Sequence, residues 1–421
     1  MMLGISAKLL LRFVLLGLIV SGKYAWAGAF AFSEQTARAV GQASALTAGI
    51  EDPSAVFFNP AALNEIEGNQ ILGGGMYIYT ASSVKNSGVT SKNIHDDSFV
   101  PTMFANYHIP KTDFSIAAGV YSPFGLATSY GENSFTRFAA IRSELRTMYV
   151  TPSLAWQATP WLSLGGGVSF VHSSALLSRQ IFLGGPEAKL RFTATDNAYG
   201  YNFGVLVKAN NQLKLGLTYR SRVNLNFDNA DVKFGAPPVT FTKSSGTNVP
   251  LPPIISAGIN WQATPRWSLE FVYDYAHWSE FKQLKANFQT PLLGGLIPGL
   301  FIPQDWKNSS TVRLGTAYKI NDGLTLRGGA TLDETPIPNR TLGPAIPGAD
   351  LLSLNAGIGY SWKDLTIDLG YMAVFYKNRR VNNNVLETGG ISTAIPFPGL
   401  PGSDRYETFQ NFVAIHLGYR F

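Results

Sequence analysis

Apolar and polar positions alternate with a period of two in segment after segment of this chain. The C-terminal segment 411–421 is the sharpest case. Val413, Ile415, Leu417, Tyr419 and Phe421 interleave with Phe412, Ala414, His416, Gly418 and Arg420. Successive strand side chains leave on opposite faces, so this segment has one apolar face and one mixed face. The pattern recurs where Leu365, Ile367, Leu369 and Tyr371 alternate with Thr366, Asp368, Gly370 and Met372. It recurs again over 352–362, 312–319, 213–220 and 162–170. One face is uniformly apolar with aromatic ends, and the other carries Gly, Ser, Arg and Asp. A lipid-facing exterior around a polar lumen predicts that arrangement.

Connections alternate in length. Short turns fall at Lys111-Thr112, Thr159-Pro160, Asn210-Asn211, Thr264-Pro265, Asn321-Asp322-Gly323 and Lys363-Asp364. Between them lie longer segments: 85–98, 125–143, 180–196, 228–250, 282–308, 334–350 and 378–409. Six turns and seven loops join fourteen strands, an even number that returns both chain ends to one side. The expected fold is all-β: a transmembrane, fourteen-stranded antiparallel barrel over 69–421. Only a closed barrel lets a β-chain satisfy its backbone in lipid.

The N-terminus reads as an export signal over 1–27. Lys8 and Arg12 precede an apolar run from Leu9 to Val20, and Ala25-Trp26-Ala27 offers a small-residue cleavage site. The run is short for a membrane-spanning helix. Between the signal and the barrel, 28–68 reads as a small, partly helical plug, with a loose periplasmic leader as the alternative. Ser33 to Val40 is helix-tolerant, and Asn59-Pro60-Ala61 breaks the chain.

Composition agrees with a barrel. Charged residues are 14%, against about 25% in soluble domains. Cysteine is absent, so neither a disulfide framework nor a thiolate metal site exists. The formal charge of +6 loses Lys8, Arg12 and Lys23 with the signal and falls near +3, which gives no argument for nucleic acid. His95, His108, His172, His277 and His416 show no metal-ligand spacing, and no cofactor motif is present. The expected location is a Gram-negative outer membrane. There the exterior would meet lipid and lipopolysaccharide, and the last strand, ending in Phe421, would engage the barrel-assembly machinery.

Three stretches resemble the FadL family of outer-membrane long-chain fatty acid transporters and their aromatic-hydrocarbon relatives. They are the segment 28–34 (GAFAFSE), the segment 48–61 (AGIEDPSAVFFNPA), and 120–126 (VYSPFGL) followed by 143–145 and 151–155. The resemblance implies a monomeric barrel plugged by its N-terminal hatch. It implies passive uptake of a hydrophobic ligand, caught by external loops and released sideways at a kinked third strand. By that analogy Phe30 lies near an inner pocket. Asn59, Pro60 and Ala61 lie by the kink, which falls within 115–121, where Ala117, Ala118 and Gly119 pack poorly.

The residues themselves suggest ligand contacts. The apolar loop 291–302, with Leu296 and Phe301, is either a landing site or a cap over the lumen. The stretch 395–400 is a second such loop. A carboxylate would need an inward cation, and parity points Arg179, Arg220, Arg222, Arg313, Arg327 and Arg420 into the lumen, beside the acids Glu270, Asp274, Asp333 and Asp368. Arg179, at the outer end of the fifth strand, is the first choice; Arg420 is too near the rim. Three alternatives stand beside fatty acid uptake: a channel for monoaromatic or other hydrocarbons, an outer-membrane hydrolase, and a general diffusion porin. No Gly-x-Ser-x-Gly elbow supports the hydrolase, and a plug argues against an open porin.

Overall fold

The computed structural model describes residues 30–94, 97–183, 186–235, 240–295, 297–383 and 403–421. The signal, Leu296 and the stretch 395–400 lie outside these residues. Fourteen antiparallel strands close into a barrel. In chain order they are Gln70–Asn86, Ser98–His108, a third in two pieces (Phe114–Tyr121 and Gly125–Ser129), Arg142–Thr159, Leu162–Phe182, Glu187–Lys208, Leu213–Arg220, Ile254–Thr264, Trp267–Ala276, Ser309–Lys319, Leu324–Asp333, Leu351–Trp362, Leu365–Tyr376 and Asp404–Arg420. Each pairs with the next, and the last pairs with the first from Gln70↔Arg420 to Lys85↔Arg405.

Alternation sorts side chains as expected from the sequence. Leu354, Leu314, Ile415 and Leu417 are exposed on the outer wall, while Glu270, Arg313 and His416 are buried inside. That inverts a soluble protein and suits a lipid surround. Trp161, Trp261, Trp362 and Tyr419 ring the short-turn end, and Tyr79, Tyr199 and Phe375 mark the lipid boundary toward the long loops.

The expected loops 180–196, 228–250 and 282–308 are largely strand. The fifth and sixth strands run on toward each other as far as Phe182 and Glu187, and Ala230–Phe234, Thr240–Ser245, Gln283–Leu292 and Ile297–Pro303 form further ribbons above the wall. Backbone pairing does not stop where lipid stops. Here alternation points Leu190, Phe192, Val232, Phe288 and Leu300 inward, where they bury over the lumen.

Residues 30–66 occupy the lumen. Thr36 Oγ1 caps the short helix Ala37–Gly41 by accepting from the Ala39 amide, and Asn59 caps the 3-10 turn Pro60–Glu65, whose proline needs no donor partner at that position. Inward glycines make room for this backbone. A Cβ on Gly357 would stand 2.8 Å from Gly41 Cα, and one on Gly165 would stand 2.3 Å from the Pro60 carbonyl carbon. At the short-turn end Glu65 pairs with Lys208 (2.6 Å) and Lys214 (3.1 Å). Burial raises the Glu65 pKa, but the hydrogen bonds and charges of the two lysines outweigh it and hold the carboxyl below the usual range.

Two predictions follow from how the segment is seated. Gly357→Leu should leave a folded barrel whose segment is cut by trypsin at Arg38, whereas Gly328→Leu should stay resistant, because its Cβ meets nothing closer than 3.7 Å. Because the folded-state pKa of Glu65 is lowered, its pairs stabilise docking above the unfolded value of about 4.3 and cease to do so as pH falls through the lowered one. Trypsin-like nicking cannot be followed there, so acid-active pepsin should reveal segment release as the pH falls through the lowered Glu65 value, with Glu65→Gln removing this contribution to the pH dependence.

Candidate functional site

The third strand is broken where Pro123 removes a backbone donor. Tyr121 pairs with Tyr149 and Gly125 with Arg146, so residues 122–124 stand opposite 147–148, a bulge on the side of the fourth strand. On its other side the third strand pairs with the second only from Met103↔Val120 to His108↔Ser115. Ser98–Thr102 of the second strand therefore has no partner there, and the wall is open between the two strands.

The N-terminal segment fills this opening with polar groups. The Gln35 amide nitrogen donates to Ser122 O (3.2 Å), and the Ser122 amide donates to Gln35 Oε1 (3.1 Å). The Phe32 amide donates to Pro123 O, and the Gly125 amide donates to Phe30 O, each at 2.9 Å. Behind Gln35, Thr102 Oγ1 donates to Gln35 O (2.8 Å) and must therefore accept from His416 Nε2 (2.8 Å), while His416 Nδ1 accepts from the Ala37 amide (3.0 Å).

The break thus lies just past the expected 115–121. Gly119 is not poorly packed: its Cβ would stand 2.7 Å from the Phe104 ring. Asn59, Pro60 and Ala61 are not at the break either. The Asn59 amide donates to Thr47 O and Val205 O, and Pro60 sits in the hollow over Gly165, so the turn leans on the fifth and sixth strands. Proline and asparagine serve there as a helix start, which fixes the segment's course away from the bulge.

Phe30 sits where the opening meets an apolar cavity. Its ring packs edge-on to Trp278 (4.8 Å between centroids), Phe281 (6.2 Å) and Phe124 (6.5 Å), and against Trp306 (5.4 Å). The cavity, about 100 Å³, lies toward the long loops and is walled by Phe30, Leu126, Leu145, Leu177, Phe192, Phe227, Phe281 and Leu300. A second, polar cavity lies deeper, between Phe57, Arg220, Asp274, Trp278 and Arg313. The apolar loop 291–302 therefore contributes to a closed wall. Leu292, Ile297 and Leu300 face inward, whereas Phe301 is exposed and turned away from the cavity, because alternation along the ribbon Ile297–Pro303 gives the inner face to Leu300.

The cations divide. Arg313 is fully engaged: it reaches Asp274 (2.8 Å), Glu34 (3.2 Å), Ser33 Oγ and Ala43 O, and so clamps the segment to the wall. Arg327 pairs with Asp368 (2.6 Å). Arg222 is half-exposed on Glu280, and Arg420 pairs with Glu67 at the rim. Glu270 accepts from the Ala48 amide, and Asp333 from Thr311 Oγ1. Arg220 has no carboxylate partner among the described residues. It donates to Phe57 O (2.9 Å) and lies over the Phe57 ring (4.2 Å), pointing toward Tyr121. Arg179 is the most isolated. It is 1% exposed, its Nε donates to Phe138 O (3.0 Å), and neither terminal nitrogen finds a partner among the described residues. Leu177, which lines the apolar cavity, precedes it on the same strand face, and its cross-strand partner is Leu190; Arg179 itself is not part of the lining.

His172 is exposed on Asn197, and His277 is exposed at the end of the ninth strand. His108 and Ser115 meet at 2.7 Å, but Asn64 and Ile66 O close the pair in, and it ties the segment's end to the wall. Gln35, Trp278 and Trp306 escaped the sequence reading. Pro123 inside a strand was the available signal for the break. Gln35→Ala should leave the Ser122 amide and carbonyl unpartnered, so faster hydrogen exchange confined to 120–126 is expected, with the barrel otherwise protected.

Known proteins share this architecture. The chain is 25% identical to outer membrane protein P1 of Haemophilus influenzae, over 94% of this chain and 95% of that protein. It is 25% identical to the long-chain fatty acid transport protein of Escherichia coli K12, over 85% and 90%. Among solved structures, a Pseudomonas aeruginosa FadL homologue superposes with a TM-score of 0.80 at 21% identity, covering 94% of this chain and 100% of that one. The Pseudomonas putida toluene transporter TodX gives 0.73 at 20% identity, covering 92% and 98%. The family of outer membrane protein transport proteins (OMPP1/FadL/TodX) matches residues 18–403, and the chain belongs to that family.

Proposed function

We propose that this outer-membrane barrel passively admits hydrophobic molecules, with a long-chain fatty acid as its cargo. The family is one of outer-membrane transport proteins, and relatives carry the names of fatty acid and toluene transporters. Arg179 carries the choice between those two. A buried guanidinium with two unused nitrogens beside an apolar cavity is costly unless an anion completes it. A carboxylate accepts two parallel N–H bonds from such a group, whereas a hydrocarbon accepts none.

The route runs from the apolar cavity, past Phe30, to the opening at residues 122–124. In this reading 28–68 is the hatch, and 1–27 the signal that delivers the chain for export. The cavity is comparable to an engineered cavity of about 150 Å³ that admits benzene. A long acyl chain therefore needs more room than the closed state offers, and withdrawal of Phe30 from its aromatic neighbours supplies it. The same small, apolar-lined space favours a second reading, a monoaromatic hydrocarbon, which needs far less added room than an acyl chain.

Binding by tryptophan fluorescence separates the two. Oleate should bind more tightly than methyl oleate, and Arg179→Ala should weaken oleate by roughly 10- to 100-fold, as expected for losing charged hydrogen bonds, while leaving the ester unchanged. Equal binding of acid and ester by the native protein would remove the carboxylate anchor and leave the hydrocarbon reading. A large, steady ionic current through the intact protein in a planar bilayer would sink hydrophobic uptake altogether.

A further inference from the structure

The seam where the first and last strands close the barrel carries an unusual row of charge on its outer face. Arg405 of the last strand stands directly opposite Lys85 of the first and opposite Arg380 of the short strand Arg379–Val381 on its other side. Three cations on three adjacent strands thus lie side by side, within about 10 Å at ordinary strand spacing. Like charges directly opposite one another destabilise a sheet.

One carboxylate answers them. Glu407 pairs with both Lys85 and Arg405. Arg380 is exposed and has no ion pair among the described residues. Its neighbour Arg379 is turned away and donates to Ile337 O and Gly348 O. Asp404, the next acid on the strand, is buried and accepts from Asn86. Among the described residues the row therefore keeps a net excess of two positive charges on the outer face.

Its height is informative. Two outward positions below Arg405 on the same face is Phe409, whose ring packs on Phe375 at 5.4 Å. Phe375 belongs to the aromatic residues that mark the boundary of the lipid-facing band toward the long loops. Four residues of strand span about 13 Å, and tilt shortens that along the membrane normal. The cations stand just above the acyl layer, at the level of lipid headgroups.

We propose that Lys85, Arg405 and Arg380 hold a phosphate of the phosphorylated glycolipid of the outer leaflet, seating one such lipid on the closing seam. Charge complementarity selects an anion, and continuity with the lipid-facing aromatic band selects one carried by a lipid. The phosphate relieves the repulsion that Glu407 cancels only in part.

The test is native mass spectrometry of the full chain in detergent, titrated with bis-phosphorylated lipid A, its dephosphorylated form and phosphatidylglycerol. The native protein should retain lipid A at least fivefold better than either of the others, and inorganic phosphate at millimolar concentration should not displace it. R380Q should weaken lipid A retention at least fivefold, and it costs the fold no ion pair seen here. E407Q, which removes the competing carboxylate, should strengthen retention. K319Q, at the opposite rim, should change nothing. The unheated gel mobility of a closed barrel shows that each variant is folded. Retention indifferent to dephosphorylation, displacement by inorganic phosphate, equal retention of phosphatidylglycerol, or R380Q behaving as the native protein would each overturn the proposal.

Discussion

A strand in a bilayer cannot leave a backbone amide or carbonyl without a partner, and everything distinctive here stems from one place where the wall fails to supply partners. Pro123 and the bulge around it detach the third strand from the second. The groups left over on the third strand at Ser122, Pro123 and Gly125 are satisfied by the protein's own N-terminal segment, through Gln35, Phe32 and Phe30. Plug and wall are therefore one hydrogen-bonded surface. Opening the wall sideways and withdrawing the segment amount to the same event. Each bond given up costs about 0.5–1.5 kcal/mol if water takes its place and more if nothing does. A few such bonds make a barrier that a ligand's burial can offset.

The lumen's charges follow from the same economy of partners. Arg313 and Arg327 look like binding residues in a list of inward cations, yet each is consumed by carboxylates, and Arg313 spans wall and segment at once. Removing one member of such a set strands the others, so these positions hold the architecture. Arg179 stands apart because, among the described residues, it finds a single carbonyl partner. Trp278 lines the polar cavity around Arg220 and Phe281 the apolar one above Phe30, so the aromatic cluster lies between a polar compartment and an apolar one.

Much of the barrel could be read from alternation alone, because a period of two with an apolar outer face leaves little freedom: the six short turns fall between the strands expected, and Val413, Ile415, Leu417, Tyr419 and Phe421 point outward as read. The external ribbons were hidden because Leu190, Phe192 and Phe288 alternate in the same way while facing inward over the lumen, and composition cannot distinguish a strand above the membrane from a loop. The break was half visible. Small residues at 117–119 suggest a weak point, but Gly119 is small because Phe104 and Val56 fill the space, and the interruption belongs to Pro123. Asn59-Pro60-Ala61 was legible as a chain break and not as a neighbour, since its partners Gly165 and Val205 lie far off in sequence. Gln35 was invisible: an amide in a helix-tolerant stretch gives no hint that it will stand in for a missing strand.

His416 belongs to the last strand, yet its ring accepts the amide of Ala37, 379 residues earlier, while its neighbours complete the seam. The contact closes nearly the longest loop this chain permits, so it exists only once the last strand is in place. Until the final strand arrives, the helix at Ala37 lacks its seat, and Thr102, Gln35 and the bulge lack their backing. Maturation is then self-certifying: a nascent barrel that has not sealed cannot lock its own stopper, and a stopper that is locked reports that the circle of strands is complete.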